Sequence, residues 1–548
     1  MNTNFNLAEI SEAIAAAIPD RECLVFRDRR YSWAQFNDRT RRLGNYLAGR
    51  GLGCKVERSK LLNFESGQDH LGIYLHNSNE YLEAMVGSYK ARVAPFNVNY
   101  RYVDDELIYL LNDADARALV YHARFAPNVA RIRAELPNLD VLIQVADESG
   151  HALLPGAVDY EAALAQSAAT RPALAWSGDD LYILYTGGTT GMPKGVLWRQ
   201  EDIFFGALGG TPTMGPKFAS VDAVVEAAKQ GTLRACPAPP LMHGAAHWMA
   251  FMALHQGGTV VIQSHPERLD PDDIWSTIER EKVRFLVIVG DAFGRPLIDQ
   301  LDKKTYDLSA FGILLSGGAI LTPALKDAFL ERIPHLMIID GFGASETGGQ
   351  GQQVSLGGGK ASTGTFRMNE DTMVLREDLS APLAPGSEET GWLARKGHVP
   401  LGYFKDAEKS AKTFPQIGDA RWAVPGDHAK VAEDGTIVVL GRGSVSINSG
   451  GEKIHPEEVE QAIKSHPDAY DAVVIGVPDE RFGNRVAAIV QPRAGATPTL
   501  EAIQAHCRKH IAGYKVPRQL TLVAEIERSP AGKPDYRWAK RIALGEPA

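Results

Sequence analysis

Short apolar runs alternate with segments of helical length through roughly the first 440 residues, and this alternation constrains the fold more than any other feature. The run Phe285 to Val289 is continuously apolar, which is typical of a central strand buried on both faces. Pro271 to Lys282 and Pro323 to Arg332 each begin with a proline that follows Asp or Thr, a common arrangement at the first turn of a helix. The pattern predicts an α/β fold with largely parallel sheets.

The pattern changes after about Trp392. Asp434 and Gly435 separate two short apolar runs, a strong local signal for a β-hairpin. Glycine-rich strings follow, so we place a domain boundary near Arg442, with one domain over residues 1–442 and another over 443–548. We expect the glycine-rich segment Gly348 to Gly364 to be a mobile loop. The second domain is predicted to contain a helix Pro456 to Ser465, strands Ala472 to Val477 and Val486 to Gln491, and a helix Leu500 to Ile511.

Charge and cysteine content exclude several classes of protein. The net charge of −9 comes without any long run of Lys or Arg, which argues against a nucleic-acid partner. The four cysteines show no C-x-x-C spacing, as expected in a reducing cytosol without disulfides or a zinc cluster. No stretch approaches 18 consecutive apolar residues and the first residues lack a secretory pattern, so we expect a cytoplasmic protein without an integral membrane segment.

The string Tyr185 to Gly195 carries the clearest chemical signal, because it follows a predicted strand, Leu181 to Leu184. Its glycines allow the backbone to approach a ligand closely, and its hydroxyls and lysine add donors and a positive charge suited to a polyphosphate. It is not a Walker A loop, because no glycine precedes the lysine and Gly195 stands where Ser or Thr would be needed. The candidate polyphosphate-binding residues of this string are Thr186, Gly187, Gly188, Thr189, Thr190, Gly191 and Lys194.

This string closely resembles the phosphate-binding signature of the adenylate-forming superfamily, which includes acyl-CoA synthetases, peptide-synthetase adenylation domains and firefly luciferase. Four further strings match the family in its order, so the resemblance extends from about Tyr31 to Lys540. It implies a large N-terminal α/β domain of several subdomains and a small, mobile α+β C-terminal domain. It also implies ATP and Mg²⁺, with CoA as co-substrate.

Two strings that follow predicted strands resemble the family's adenine-binding and metal-binding segments. By resemblance, Phe342 stacks on adenine, Ser345 bonds the α-phosphate and Glu346 holds Mg²⁺. A flat ring suits a purine and a carboxylate suits a hard cation, and Ser keeps the hydroxyl of the family's Thr. The remaining candidates in these strings are Gly317, Gly318, Ala319, Gly341 and Gly343.

Further candidates come from the same resemblance. Asp427 and Arg442 would contact ribose, and His243 matches a position beside the carboxylate site. Lys533, in a Pro-x-x-Gly-Lys string, would bridge carboxylate and phosphate oxygens. Val445 stands at the hinge position, where the family usually has Asp or Lys. The small residues that would admit the pantetheine arm of CoA are Ser449, Gly450 and Gly451.

The resemblance therefore predicts an ATP-dependent acyl-CoA synthetase that works through acyl-AMP. Longer strings look like a bacterial branch with CoA ligases for steroid side-chain acids, and the small residues Gly244 to Ala246 favour a wide acyl pocket. We expect a bulky or medium-to-long apolar acid, such as a steroid side-chain acid or a fatty acid. Alternatives are an enzyme that loads an acyl carrier protein in trans, a luciferase-like or lactone-forming variant, and a non-catalytic nucleotide-binding protein. A homodimer is possible.

Overall fold

A computed structural model describes residues 2–186, 192–212, 215–359, 361–442, 447–449, 452–479, 483–529 and 532–546. Its α-helices are α1 Leu7–Ala17, α2 Trp33–Gly49, α3 Asn79–Lys90, α4 Asp104–Asp113, α5 Ala126–Ile132, α6 Tyr160–Ala165, α7 Gln200–Ala207, α8 Val221–Gln230, α9 Gly244–His255, α10 Pro271–Glu281, α11 Gly290–Leu301, α12 Pro323–Arg332, α13 Ala407–Thr413, α14 Pro456–Lys464, α15 Leu500–Cys507 and α16 Tyr536–Leu544.

The strands fall into several sheets. They are β1 Glu22–Phe26, β2 Arg29–Ser32, β3 His70–Tyr74, β4 Ala94–Asn97, β5 Ala116–His122, β6 Val141–Val145, β7 Ala157–Asp159, β8 Leu181–Thr186, β9 Lys194–Arg199, β10 Arg234–Pro237, β11 Thr259–Ile262, β12 Phe285–Ile288, β13 Ile313–Gly317, β14 Met337–Ala344, β15 Gly348–Ser355, β16 Thr365–Met368, β17 Thr372–Leu375, β18 Gly391–Lys396, β19 Gly402–Tyr403, β20 Gln416–Ile417, β21 Ala420–Ala423, β22 Asp427–Val431, β23 Ile437–Arg442, β24 Ile447–Ser449, β25 Glu452–Ile454, β26 Ala469–Asp479, β27 Gly483–Pro492 and β28 Gln519–Leu522.

The largest sheet is mixed. Strands β1, β11, β10, β12, β13 and β14 pair in parallel in that order, and pairing becomes antiparallel from β14 to β15 onward. The predicted central strand is confirmed as β12, whose residues are buried between β10 and β13. Helices α10 and α12 begin at the two predicted prolines. A second, all-parallel sheet has the order β4-β3-β5-β6-β7, so the α/β prediction is confirmed.

One expectation of the sequence analysis is wrong. The segment Gly348 to Gly364 is not simply a loop, because Gly348–Ser355 forms β15 and pairs antiparallel with β14. Glycine-rich sequence has little intrinsic preference for strands, but here it allows the backbones of β14 and β15 to approach each other closely. A Cβ on Gly343 would stand 2.2 Å from the carbonyl oxygen of Gly348, so position 343 needs glycine. Position 348 needs glycine as well, because its φ is +67° and a Cβ there would stand 2.5 Å from the carbonyl oxygen of Gly206.

The C-terminal part folds around the antiparallel pair β26 and β27, which β28 extends in parallel. Alternate residues of β26 enter two clusters: Val474 packs with α14 and α15, and Val473 packs with Trp538 of α16. The predicted helices are confirmed, although α15 ends at Cys507 rather than Ile511. Among the described residues, no helix has both the length and the apolarity to cross a membrane.

Candidate active site

The candidate site lies at the carboxyl ends of the parallel strands β13 and β14. Ligands commonly bind at this edge of the sheet in α/β proteins. Glu346 follows β14 by two residues and is only 8% exposed. The Tyr403 hydroxyl donates a hydrogen bond of 2.9 Å to Oε1 of Glu346. Trp198 Nε1 donates to the carbonyl oxygen of Ser345 at 2.9 Å. These bonds hold the predicted metal ligand and the neighbouring serine in place.

The predicted adenine-binding residues lie together at this edge. Phe342 is half-buried, and its ring centroid is 5.3 Å from that of Phe366. Gly317 is the register partner of Gly341 in the neighbouring strand. Gly318 has a φ of +83°, a conformation that other L-residues rarely adopt. Ala319 follows Gly318 in the chain, and Gly343 follows Phe342. A half-buried ring flanked by two glycines is suited to a flat purine.

The strands on either side of the predicted phosphate loop are in place. Thr186 ends β8 and pairs with Lys194, which begins β9. Five of the loop candidates, Gly187, Gly188, Thr189, Thr190 and Gly191, lie outside the described residues. The ammonium of Lys194 forms an ion pair with Asp406. The structure therefore gives Lys194 a protein partner that sequence reasoning did not include.

Asp427 and Arg442 are register partners in β22 and β23. Asp427 is 7% exposed, and the pairing shifts by one residue directly after His428. Such bulges are frequent next to active sites, where they redirect a side chain. The backbone thus brings the two predicted ribose contacts side by side. Of the predicted CoA contacts, Ser449 ends β24, whereas Gly450, Gly451 and the hinge candidate Val445 lie outside the described residues.

His243 precedes α9, and its Nε2 is buried without a hydrogen-bond partner among the described residues. Burial lowers the pKa of His243 to about 3, and the nearby positive charge of Lys533 contributes. Lys533 is exposed, and it follows Gly532, which packs against Val289, the N-cap of α11, and Ala292 of α11. The structure therefore brings Lys533 close to the histidine from a distant part of the chain, and His243 is neutral at physiological pH.

The residues present fit a magnesium ion that is held mainly by ATP. The described residues contain no group of three or more His, Cys, Asp or Glu side chains arranged to hold a metal. Mg²⁺ in nucleotide sites is usually bound by one or two carboxylates together with phosphate oxygens and water. The buried carboxylate of Glu346 satisfies this requirement.

An apolar strip runs away from the site on one face of the large sheet. It consists of residues that the strand register places side by side. They are Ile313 and Leu315 of β13, Met337 and Ile339 of β14, Val354 of β15, and Leu356, which follows β15. Its outer members are open to solvent: Met337 is 36%, Val354 47% and Leu356 56% exposed. The Leu315 side chain would be 3.9 Å from a Cβ on Gly341, so the strip begins at the candidate site.

The space beside His243 differs from the expectation. Ala246 is fully buried, and a Cβ on Gly244 would stand 3.1 Å from the indole of Trp248. At Gly244 the space left by the missing side chain is therefore bordered by Trp248, rather than being open on every side. Sequence reasoning missed Trp248, Tyr403 and Asp406. The only local signal among them was Asp406, whose position before Ala407 is typical of a helix N-cap.

Comparison with known proteins agrees with this geometry. The AMP-binding enzyme family matches residues 11–404, and the AMP-binding enzyme C-terminal domain matches residues 458–533. The chain is 52% identical to the medium-chain acyl-CoA ligase Mig of Mycobacterium avium over 544 residues, which cover 99% of both chains. It is 44% identical over 553 residues to a medium/long-chain-fatty-acid--CoA/3-oxocholest-4-en-26-oate--CoA ligase of Mycolicibacterium smegmatis, covering 99% of this chain and 97% of the relative.

The fold is also similar to that of an anthranilate CoA ligase in complex with anthranoyl-AMP. The TM-score is 0.83 at 23% identity, with coverage of 100% of this chain and 98% of the other. Together these findings show that the chain belongs to the family of AMP-binding enzymes. Within that family it is an acid–thiol ligase of the acyl-CoA synthetase type, for which ATP and CoA are the substrates besides the acid and Mg²⁺ is the usual partner of ATP.

Proposed function

We propose that the protein activates an apolar carboxylic acid, either a medium-to-long fatty acid or a steroid side-chain acid, and transfers the acyl group to CoA. The observation that carries this proposal is the near-complete similarity to ligases whose names specify medium-chain acyl groups, fatty acids and 3-oxocholest-4-en-26-oate. The apolar strip supports it independently. Leu315 lies at the site and Leu356 at the exposed end, so an acid seated at Gly341 has apolar surface beside it.

The chemistry to be catalysed explains the proposed residue roles. A carboxylate is a poor electrophile, so it must be activated before a thiol can attack it. Its oxygen attacks the α-phosphorus of ATP, acyl-AMP forms and pyrophosphate leaves, and two anions must approach each other in this step. We assign Lys533 to the carboxylate and phosphate oxygens, where its charge stabilises the transition state. Phe342 would stack on adenine, Ser345 would bond the α-phosphate, and Asp427 would accept from the ribose hydroxyls. Bound beside Glu346, Mg²⁺ supplies further positive charge near the phosphates.

His243 is assigned a positioning role at the carboxylate rather than a role as a charged catalyst. Its lowered pKa makes the ring neutral, so it can donate or accept a hydrogen bond without carrying charge. Its buried Nε2 has no described partner, and a substrate oxygen would satisfy that nitrogen.

We further propose that the second half-reaction uses the segment around Ser449. The thiolate of CoA attacks the acyl carbon of acyl-AMP, the thioester forms and AMP leaves. Small residues at 449–451 would let the pantetheine arm reach that carbon. The C-terminal part, residues 443–548, would rotate near Arg442 between the two half-reactions. We also propose a homodimer and a cytoplasmic location. The four cysteines, all free thiols, are consistent with that location.

A competition assay tests the proposal. The enzyme is incubated with ATP, Mg²⁺, CoA and a pool of steroid side-chain, fatty, aromatic and short acids, and acyl-CoA and acyl-AMP are measured by mass spectrometry. We expect one or a few apolar acyl-CoA products. Acyl-AMP that accumulates without acyl-CoA would indicate transfer to a carrier protein instead. If acetate or propionate had the highest kcat/KM of all the acids tested, the assignment of an apolar acid would be contradicted.

A further inference from the structure

The turn formed by residues 402–406, here called the anchor turn, belongs to none of the motifs that identify the site. Its first two residues form β19, which pairs antiparallel with β9. The N–H of Phe404 donates to the carbonyl oxygen of Gly195 at 2.8 Å. Because β9 begins at Lys194, the anchor turn lies directly beside the chain that leaves the phosphate loop.

One side chain of the anchor turn reaches the metal-binding carboxylate. Tyr403 is 3% exposed, and its hydroxyl donates to Oε1 of Glu346 at 2.9 Å. Its backbone N–H donates to Ser410 Oγ at 2.8 Å, and its ring packs on Phe414 at 5.5 Å between centroids. Backbone and ring are thus both fixed, and the hydroxyl orients Glu346 through one oxygen.

A second side chain of the anchor turn holds the phosphate-loop lysine. Asp406 Oδ1 accepts from the backbone N–H of Lys409 at 2.9 Å and so caps α13. Its Oδ2 forms the ion pair with Lys194. Burial alone would raise the pKa of Asp406, but the bonds from Lys194 and the Lys409 N–H lower it, so the carboxylate is charged at neutral pH. A capped helix terminus therefore provides a fixed anion for the lysine.

We propose that the anchor turn is a positioning element for adenylation: Tyr403 orients the metal-binding Glu346, and Asp406 holds Lys194 so that the lysine anchors the phosphate loop instead of contacting phosphate itself. One rigid turn thereby sets the metal carboxylate and the stem of the phosphate loop relative to each other. This inference rests on the proposed function, because it assigns roles within the same active site.

The ion pair is tested by Asp406→Asn, Lys194→Ala, their double variant and the reciprocal exchange K194D/D406K. Asn keeps the helix cap but removes the charge. Acyl-AMP formation is measured by ATP–pyrophosphate exchange, and thioester formation is measured from supplied acyl-AMP. We expect both single variants to lose roughly 10- to 100-fold in kcat/KM for ATP. This is the size of effect expected when a hydrogen bond to a charged group is lost. The double variant should lose no more than either single variant, and the exchange should recover at least about tenfold.

The matched control is Asp270→Asn. Asp270 is the N-cap of α10 and, like Asp406, forms an ion pair, in this case with Arg268. The control variant should leave both half-reactions and the melting temperature unchanged. Losses that add in the double variant, or a reciprocal exchange as inactive as Lys194→Ala, would show that Lys194 contacts phosphate directly and would overturn its anchoring role. A wild-type enzyme that forms no acyl-AMP from any acid would instead contradict the proposed function.

Tyr403→Phe tests the other contact. The variant should raise the Mg²⁺ concentration for half-maximal acyl-AMP formation about three- to tenfold, with a smaller loss at saturating Mg²⁺, because the misoriented carboxylate still binds. Thioester formation from acyl-AMP should not change. Tyr306→Phe is the control, since it removes a tyrosine hydroxyl that donates to Asp272. An unchanged Mg²⁺ dependence, or equal loss in both half-reactions, would overturn the role of Tyr403.

Discussion

The indole Nε1 of Trp248 donates a hydrogen bond of 2.8 Å to the hydroxyl of Tyr182. The same hydroxyl is bonded to Nε2 of His247, whose Nδ1 lies 2.8 Å from the carbonyl oxygen of Leu241. The network ends on the backbone, so it fixes the indole over Gly244. The orientation of Trp248 therefore limits the space over Gly244, the residue that follows His243.

Replacement of Trp248 by Ala should widen that space. We expect kcat/KM for a steroid side-chain acid to rise relative to that for a straight-chain acid by about tenfold, within the 1–3 kcal/mol that pocket shape usually contributes to discrimination. Parallel titrations with both acids measure the ratio. An equal change for both acids would mean that the indole does not border the acyl group.

Tyr182→Phe keeps the ring but removes the acceptor for Trp248. The indole loses its fixed orientation, so kcat/KM for the steroid side-chain acid should again rise relative to that for the straight-chain acid. The expected rise is smaller than for Trp248→Ala, about two- to fivefold, because only one neutral hydrogen bond is lost. The measurement is again the ratio of kcat/KM for the two acids. A ratio unchanged from wild type would show that packing alone orients Trp248.

The apolar strip gives a separate prediction about chain length. Val354→Asp places a carboxylate on the strip, and a long apolar chain would have to desolvate it. We expect kcat/KM to fall about tenfold for a long fatty acid and less than twofold for a short one. Leu153→Asp is the matched control, since both residues are 47% exposed and Leu153 lies outside the strip. Equal losses for long and short acids would exclude the strip as an acyl surface.

The sequence pattern was most informative where local propensity and burial agree. Helix α12 spans the predicted residues because Thr322 and Pro323 provide its start and the helix packs on the large sheet. Strand β15 was missed because its formation depends on pairing with β14, which no local property of a glycine-rich segment reveals. Helix α15 ends early because the His510 N–H bonds three residues back to Cys507 and tightens the last turn.

The candidate site shows the same division. Motif residues such as Glu346 and Lys533 were predicted by resemblance. The structure places Glu346 beside Tyr403 and brings Lys533, from the C-terminal part of the chain, near His243. Their partners were not predicted. Tyr403 lies 57 residues from Glu346 in the chain, and Asp406 lies 212 residues from Lys194. Contacts of this kind depend on the packing of the whole fold, and one sequence carries no local signal for them.

Lys533→Ala should separate the two half-reactions. The lysine neutralises charge while acyl-AMP forms, so we expect acyl-AMP formation to fall by at least about 100-fold. Thioester formation from supplied acyl-AMP should remain within about twofold of wild type. Lys540→Ala, on an exposed position of α16, is the control. Equal loss of both steps would show that Lys533 has a different position or role.

Stability should depend on buried neutral histidines. His255 is 4% exposed, and its Nδ1 lies 2.7 Å from the carbonyl oxygen of Leu208. Burial lowers the pKa of His255 to about 4, against about 6.5 in the unfolded chain. Between these values the unfolded state binds more protons, so the stability from the neutral ring is present above pH 6.5 and is lost as the pH falls towards 4.

His255→Gln removes this titration while keeping a hydrogen-bond donor. From pH 7 to pH 5, the wild-type free energy of unfolding should fall by about 2 kcal/mol more than that of the variant. Urea unfolding at the two pH values measures the difference, and the variant should be less stable at pH 7 because the ring packing on Phe204 is lost. Parallel pH dependence in the two proteins would show that His255 is not kept neutral by the fold.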